Sequence, residues 1–219
     1  MDRETPEVAA RRLAAVAAGH EGRPDEAAAA LADASPAVRI AALGALRRLH
    51  ALDARRLSVA LADSEPGVRR RAAEEGGRVL ARMVAGDAPS GTVDDVAALV
   101  VLVTGALEDA DDGVVEASCW ALGEAATWGT PAVPRLASLA TGHGAPLVRE
   151  SAVAALGAIG DLSALAAVLA ALDDRPAVRR RAAVALAAFD DPRADAGLER
   201  CLADRDWQVR QFAEELLRD

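Results

Sequence analysis

The stretch Leu31–Leu46, LADASPAVRIAALGAL, sets a pattern that the rest of the chain repeats. A close copy, LADSEPGVRRRAAEEG, begins at Leu61, and weaker copies begin at Leu107, Ala140, Leu172 and Leu202. Each copy contains an anchor valine, and successive anchors are 30, 46, 34, 30 and 31 residues apart: Val38, Val68, Val114, Val148, Val178 and Val209. Internal repetition at this period predicts an array of small stacked units.

Each unit is predicted to contain two helices. An apolar first helix ends near a Leu-Ala-Asp or Leu-Asp-Asp, and in four units a proline stands two residues before the anchor, where its fixed backbone angle suits the start of a second helix. The second helix buries the anchor and the residues four, eight and eleven positions later, such as Val148, Ala152, Leu156 and Ile159. Aromatic residues make up only 2% of the chain, which disfavours β-structure. We therefore predict an all-α protein whose units bury their apolar stripes against each other.

The composition limits the possible function classes. The net charge is −9 and all 25 basic residues are arginine, so a broad basic surface for nucleic acid is not expected. The two cysteines are far apart, which fits a reducing compartment, and no apolar signal segment follows Met1. The longest uncharged apolar stretch, 96–107, is too short to cross a bilayer as a helix. We expect a cytoplasmic protein without membrane contact.

The recurring pattern L-x-D-x-x-P-x-V-R-x-x-A-x-x-A-L-G resembles the HEAT repeat, in the short form named after phycobilisome lyases. The resemblance implies one right-handed α-α superhelix of about six helix pairs, with a capping helix at about 6–19. The implied repeats are 24–52, 53–84, 92–127, 130–160, 161–188 and 190–219. Because such repeats serve many unrelated functions, the resemblance implies a fold more strongly than an activity.

A charged pair recurs around the anchors. In four units an acid stands five residues before the anchor and an arginine one residue after it: Asp33/Arg39, Asp63/Arg69, Asp173/Arg179 and Asp204/Arg210. The resemblance to HEAT arrays implies that these side chains bridge neighbouring units, so we expect them to stabilise the stack and not to bind a partner. The pattern lapses twice: Val115 replaces the arginine of the third unit, and His143 replaces the acid of the fourth.

The lapses coincide with other irregularities in the centre of the chain. The spacing of 46 residues holds Gly76-Gly77, a loop at 85–91 and a longer helix at about 92–109. Two of the three tryptophans, Trp120 and Trp128, lie in the same region. Second helices of such repeats line the concave face, so we predict a binding surface on it that the 85–91 loop can reach: Glu116, Trp120, Arg149 and Glu150.

Trp120 has two interpretations. The repeat does not require an aromatic residue six positions after the anchor, since the equivalent residues are Gly44, Glu74, Ala154, Val184 and Glu215. Trp120 therefore fills a gap beside the long helix of its own unit, or it is an aromatic anchor on the concave groove. Trp207 takes the helix-start position that proline occupies elsewhere, and it is expected to seal the last turn.

Signals of catalysis are weak. The three histidines are isolated in sequence, so no metal and no cofactor are expected. Cys119 has no histidine close by and is predicted to be a buried, inert thiol. The arginine triplets 69–71 and 179–181 are predicted to be solvated faces, and the alternative is a site for an acidic partner or a nucleic-acid backbone.

We therefore expect a monomeric, non-enzymatic scaffold that holds a protein or peptide on its concave face. Two alternatives stay open. One is a nucleic-acid-binding protein related to the HEAT-like alkylpurine DNA glycosylases, which rely on a basic groove and a catalytic aspartate. The other is a bilin lyase or lyase chaperone, which only the name of the repeat type suggests.

Overall fold

The computed structural model describes residues 5–87 and 93–218. Within these ranges the chain forms thirteen α-helices, joined by turns and short 3₁₀ segments, and no strand. In chain order the helices are α1 (Pro6–His20), α2 (Pro24–Ala29), α3 (Pro36–Arg48), α4 (Ala54–Leu61), α5 (Pro66–Val84), α6 (Val93–Gly105), α7 (Asp112–Glu124), α8 (Val133–Gly142), α9 (Pro146–Ile159), α10 (Leu165–Ala170), α11 (Pro176–Leu186), α12 (Pro192–Cys201) and α13 (Trp207–Leu216). None of these helices is long and apolar enough to span a membrane.

The helices stack into a two-layered solenoid. Helix α1 stands at one end, and six helix pairs follow, from α2/α3 to α12/α13. The second helices pack extensively on each other in the order α1, α3, α5, α7, α9, α11 and α13, whereas the first helices form a looser row. The predicted HEAT-like superhelix of about six helix pairs is confirmed.

The anchor valines form the centre of the core, and each is at most 1% exposed. In the fourth unit Val148, Ala152, Leu156 and Ile159 are at most 3% exposed, as the helical stripe predicts. Prolines begin α3, α5, α9 and α11, where the fixed φ of proline favours the first turn. The buried residues of neighbouring units belong to one continuous hydrophobic cluster.

The second helices approach each other most closely at small residues. A Cβ atom added to Gly157 in α9 would lie 2.6 Å from the Cβ of Ala185 in α11 and 2.9 Å from its Cα. Gly19 of α1 meets Ala45 of α3 in the same way, with a hypothetical Cβ 2.8 Å from the alanine Cα. A glycine of one unit and an alanine of the next therefore set the stacking distance.

One interface replaces this small pair with charges. Between α3 and α5, Arg47 stands where α9 has Gly157, and Glu75 stands where α11 has Ala185. Glu75 is fully buried, and its carboxylate pairs with the guanidinium groups of Arg47 and, at 2.7 Å, of Arg71. The two substitutions are complementary, because a buried carboxylate without a cationic partner would be strongly destabilising.

An ion-pair ladder joins neighbouring units. Arg179 is representative: its Nη1 donates to the carbonyl of Asp174 at 2.8 Å, at the end of the first helix of its own unit. Its Nε and Nη2 donate to the carboxylate of Asp204 in the next unit at 2.8 and 2.9 Å. The rungs are Arg11–Asp33, Arg39–Asp63, Arg69–Asp109, Arg149–Asp174 and Arg179–Asp204. The expected bridging of neighbouring units is confirmed for these pairs, whereas Arg210 of the last unit donates to the carbonyl of Asp204 in its own unit at 2.7 Å.

The ladder differs from the prediction in two respects. In the fifth unit the ladder acid is Asp174 and not Asp173, which is exposed and faces Arg200 at 3.6 Å. The sequence offers two adjacent acids there, and the 3₁₀ turn Ala171–Asp173 leaves the second of them to bond Arg149. The second difference concerns Val115 and His143. A rung joins the arginine position of one unit to the acid position of the next, so these two replacements together remove a single rung. Losing both residues removes a pair without leaving an unpaired charge.

The long spacing in the centre begins with α5, which runs for 19 residues through Gly76 and Gly77. Of the predicted loop 85–91, residues 88–91 lie outside the described residues. Helix α6 begins at Val93, and a 3₁₀ turn at Ala106–Glu108 follows it, close to the helix predicted at about 92–109. The second unit thus carries a longer second helix than its neighbours.

Candidate functional site

Trp120 lies at the surface of the second-helix layer, with 38% of the residue exposed. Its ring covers Gly77 of α5: a Cβ atom on that glycine would lie 2.6 Å from Trp120 Cζ3 and 2.8 Å from the Cα of Ala121. The ring therefore packs on the second helix of the preceding unit, whereas one of the two interpretations of the sequence placed it beside the long helix of its own unit. Trp120 is neither a core residue nor fully free, since one edge is packed and more than a third is open to solvent.

A cation lies over the exposed ring. The guanidinium carbon of Arg78, one residue after Gly77, is 5.6 Å from the Trp120 ring centroid, within the range of a cation–π interaction. Arg78 also lies 3.8 Å from the carboxylate of Glu74 and 3.7 Å from that of Glu75. Gly77 and Arg78 therefore both tie the indole to α5.

Acidic side chains accompany Trp120 on its own helix and on α9. Glu116 and Glu124 stand four residues before and after Trp120, so they share its helix face, and both are half-buried. Ser151 of α9 donates its hydroxyl to Glu116 at 3.5 Å, and Glu150 lies 3.6 Å from Arg181 of α11. We call this surface the second-helix face, and it comprises Glu74, Arg78, Glu116, Trp120, Glu124 and Glu150.

Arg149, the fourth predicted site residue, is committed to the ladder. Its Nε and Nη2 donate to Asp174 at 2.6 and 2.7 Å, and its Nη1 donates to the carbonyl of His143 at 2.7 Å. The same hydrogen bonds lower the pKa of the Asp174 carboxyl below its usual range. Because all its donor groups face acceptors within the stack, we assign Arg149 to stacking and remove it from the candidate surface.

The arginine triplets are ion-paired. Arg69 and Arg179 form ladder rungs. Arg70 lies 3.2 Å from Glu74 and Arg71 2.7 Å from Glu75, while Arg181 reaches Glu150. Arg180 pairs with Asp206 at 2.6 Å and lowers the pKa of that carboxyl to about 2. Each triplet is thus locally compensated, which refines the prediction of solvated faces.

Three other predicted residues have clear environments. Cys119 is fully buried, as predicted, and this burial raises the pKa of its thiol to about 12. Trp128 lies in the 3₁₀ segment Ala126–Ala132 and is 39% exposed. The expectation for Trp207 was wrong: it begins α13, but it is 61% exposed, and Asp206 caps this helix by accepting from the amide of Gln208.

The sequence analysis missed the contribution of α5 to this surface. Gly77 could have been found, because it aligns with Gly123 and Gly157 in the repeat and so predicts a close approach of α7. Arg78 carries no such signal, since its position is not restricted by the stack. Among residues 5–87 and 93–218, no group of three or more His, Cys, Asp or Glu side chains could hold a metal ion.

Solved structures with the same architecture confirm the fold. An engineered protein aligns with a TM-score of 0.63 and 18% identity, covering 89% of this chain and 95% of its own. The complex of CpcE and CpcF of phycocyanin lyase from Nostoc sp. PCC7120 aligns with a TM-score of 0.59 and 24% identity, covering 89% and 75%. A designed armadillo repeat protein in complex with the peptide (KR)4 aligns with a TM-score of 0.62 and 17% identity, covering 89% and 98%.

Sequence comparison identifies the repeat type. No curated protein sequence matches the chain. The profile of the family described as HEAT repeats matches residues 99–177 and 133–218, which together make up more than half of the chain. The matched residues include anchor valines, small residues between second helices and pairs of the Arg–Asp ladder. The chain belongs to the HEAT repeat family.

Proposed function

We propose that this protein is a non-enzymatic scaffold that binds a protein or peptide segment on the second-helix face, with Trp120 as the anchor. The observation that carries the proposal is the placement of Trp120. It is an indole 38% exposed at a repeat position where the stack requires no aromatic residue. Tryptophan is strongly enriched among residues that dominate binding energies, because a partner can cover a large rigid surface at low entropic cost.

The stacking contacts favour this layer as the concave side. Second helices touch through glycine and alanine, as at Gly157 and Ala185, whereas the first helices form a looser row. A layer with shorter spacing lies on the inside of a curved stack, so a bound segment could contact several second helices at once. Solenoids commonly use such extended concave surfaces for binding.

The charge around Trp120 favours a basic partner segment. On α7 and α9 the second-helix face carries Glu116, Glu124 and Glu150, while the only arginine of these two helices, Arg149, is held in the ladder. A lysine or arginine of the partner could bind these carboxylates while an apolar residue covers the indole. The designed armadillo relative, in complex with (KR)4, is an array of this architecture that holds a basic peptide.

The residues support binding more than catalysis. Cys119 is buried with a raised pKa, so its thiol stays protonated near neutral pH and is a poor nucleophile. The pairing of the arginine triplets and the net charge of −9 disfavour the nucleic-acid alternative. The likeness to the phycocyanin lyase subunits, at 24% identity, is one of fold and does not by itself support the bilin lyase alternative.

The test uses fluorescein-labelled (KR)4 with a central leucine inserted, and an acidic peptide of equal length as the charge control. We expect the basic peptide to bind and Trp120→Ala to weaken its binding at least tenfold, which is about 1.4 kcal/mol. Trp128→Ala is the matched control, because Trp128 is equally exposed but lies outside the second-helix face. Fluorescence anisotropy measures the affinity, and circular dichroism checks that helical content is unchanged.

Two results would contradict the proposal. One is equal affinity for the basic and the acidic peptide. The other is a Trp120→Ala protein that binds normally but melts at a much lower temperature, because Trp120 would then act only as packing for Gly77. If neither result is found, affinity purification from the native host with wild-type and Trp120→Ala protein, followed by mass spectrometry, identifies the natural partner.

A further inference from the structure

A cavity of about 360 Å³ lies beside the elongated second unit. Its walls come from three places: the α3–α4 turn, the C-terminal half of α5 and the beginning of α6. Helix α5, at 19 residues, is the longest of the thirteen helices, and its last turns provide Val79, Arg82 and Met83 to the cavity. A volume of this size falls within the range of small-molecule sites.

The inner wall of the cavity is apolar. Leu52 and Leu99 are 6% and 3% exposed and belong to the hydrophobic core. Val79 and Met83 are half-buried and pack against that core while still lining the cavity. The adaptable thioether of Met83 suits a wall that contacts an apolar or aromatic ligand.

The rim carries a guanidinium and an imidazole. Arg82 donates from Nη2 to the carbonyl of Asp87 at 3.0 Å, and its Nη1 contacts Nδ1 of His50. Guanidinium N–H groups can only donate, so a hydrogen bond between these two groups uses Nδ1 of His50 as the acceptor. Both residues line the cavity, which brings a guanidinium and an imidazole together at its mouth.

His50 adopts an unusual backbone conformation. Its φ is +56°, in the left-handed region that favours glycine, directly after the end of α3. A non-glycine residue in this region costs free energy and persists where the surrounding structure imposes it. Here the conformation turns the chain into α4 and places the imidazole against Arg82.

The segment 47–56, RRLHALDARR, contains four arginines, one histidine and a single acid, in a chain whose net charge is −9. Two of its arginines line the cavity: Arg47 pairs with Glu75, and Arg56 pairs with Asp53 and donates to the carbonyl of Ala51 at 3.0 Å. Asp53 and Asp95 also line the cavity. Because Arg47 and Arg56 already have carboxylate partners in Glu75 and Asp53, Arg82, which contacts a carbonyl and an imidazole, is the arginine of the three that is left to bind an anion.

We propose that the cavity binds a small organic anion with an apolar or aromatic body. Its carboxylate or phosphate group would be held by Arg82 and His50, and its body would lie against Leu52, Met83 and Leu99. Guanidinium groups bind such oxyanions in a bidentate manner, and an apolar wall excludes the water that would otherwise weaken the pair. The site is separate from the second-helix face, since none of the six residues of that face lines the cavity.

The experiment compares two fluorescent probes of similar shape. Anilinonaphthalene sulfonate carries an anionic group, whereas N-phenylnaphthylamine is its uncharged analogue. We expect the anionic probe to bind with one-to-one stoichiometry and at least tenfold more tightly than the neutral one. Arg82→Gln should abolish this preference, while Arg55→Gln is the matched control, because Arg55 lies in the same basic segment but does not line the cavity.

Competition identifies the anionic group and tests the location. Displacement of the probe by naphthoate or by naphthyl phosphate distinguishes a carboxylate from a phosphate ligand. Trp120→Ala should leave probe binding unchanged, so this proposal and that for the second-helix face can fail independently. Equal affinity for the two probes, wild-type affinity in Arg82→Gln, or displacement by neither competitor would overturn the proposal.

Discussion

Two interfaces between second helices show how far this repeat tolerates change. Between α9 and α11, Gly157 packs directly on Ala185, and a hypothetical Cβ would come within 2.6 Å of the alanine. Between α3 and α5 the same two positions hold Arg47 and the fully buried Glu75. Both interfaces keep a ladder rung, Arg149–Asp174 in one and Arg39–Asp63 in the other. A stack of this kind therefore accepts charge at its closest contact, provided that the charges come as a pair.

Breaking that pair is expected to have the largest effect. Glu75→Ala leaves Arg47 and Arg71 without their shared carboxylate and should lower the free energy of unfolding by about 3 kcal/mol. The double variant Arg47→Gly/Glu75→Ala converts the interface to the small pair found between α9 and α11, and it should regain most of that loss. Chemical denaturation measures both values. If the double variant is no more stable than the single one, the two positions are not coupled.

Removing a ladder arginine should have the next largest effect. Arg179 is 4% exposed, and Arg179→Ala removes the guanidinium that donates to the carboxylate of Asp204 and to the carbonyl of Asp174, at a cost of about 1–3 kcal/mol. The control is Arg193→Ala, which removes an exposed pair with Asp191 and should cost less than about 1 kcal/mol. Thermal and chemical denaturation report the difference. Peptide binding by the folded Arg179→Ala protein should change little, and its selective loss would argue against a stacking role.

A smaller loss of stability is expected from adding a single methyl group at the contact between α9 and α11. Gly157→Ala must move α11 away from α9, because the nearest atoms belong to the backbone and Cβ of Ala185. We expect a net loss of about 1 kcal/mol, since overpacking outweighs the gain in helix propensity. Gly105→Ala is the control: Gly105 lies in α6 with open space around it, so alanine should stabilise the protein slightly. Equal effects at the two glycines would show that the approach of α9 and α11 is not tight.

Acid should weaken the ladder gradually. Hydrogen bonds from Arg69, Arg149 and Arg179 lower the pKa of their aspartate partners in the folded protein. The stabilisation is therefore complete above the ordinary aspartate pKa of about 3.9 and is lost as the pH falls through the lower folded value. The melting temperature should therefore stay nearly constant from pH 6 to about pH 4 and fall between about pH 4 and pH 2. The Arg47→Gly/Glu75→Ala variant should keep the same acid dependence if the rungs carry it.

The features that most units share were predictable from the sequence. Val38, Pro36 and Arg39 recur with their equivalents at fixed spacing, so each observation was repeated several times along the chain, and the helix pairs and the ladder followed from them. Asp174 was missed because two adjacent acids satisfy the spacing almost equally, and only the local turn decides between them. Trp207 was misjudged because occupying a helix start does not determine the direction of a side chain.

Features found in only one unit were harder to predict, because they depend on contacts between different helices. The packing of Trp120 on Gly77 joins α7 to α5, 43 residues earlier in the chain. Aligning the units would have shown that Arg47 and Glu75 replace a glycine and an alanine, and this signal was available in the sequence. The cavity beside α5 was not predictable in the same way, because it depends on where three separate segments end relative to each other.

The missing rung at Val115 and His143 has a consequence for cooperativity. A solenoid is nearly one-dimensional, so its unfolding is governed by the coupling of each unit to the next. The rung position between α7 and α9 is the one at which the ladder lacks its Arg–Asp pair, although His143 lies 3.8 Å from Asp112, Arg135 pairs with Glu108 and Gly123 lies close to Ala155 across this boundary. We therefore expect partial unfolding to divide the array at this boundary, with amides on either side exchanging with solvent as two separate groups. The second-helix face, which includes Trp120, spans this boundary from α7 to α9. A partner bound there could couple the unfolding of the two halves.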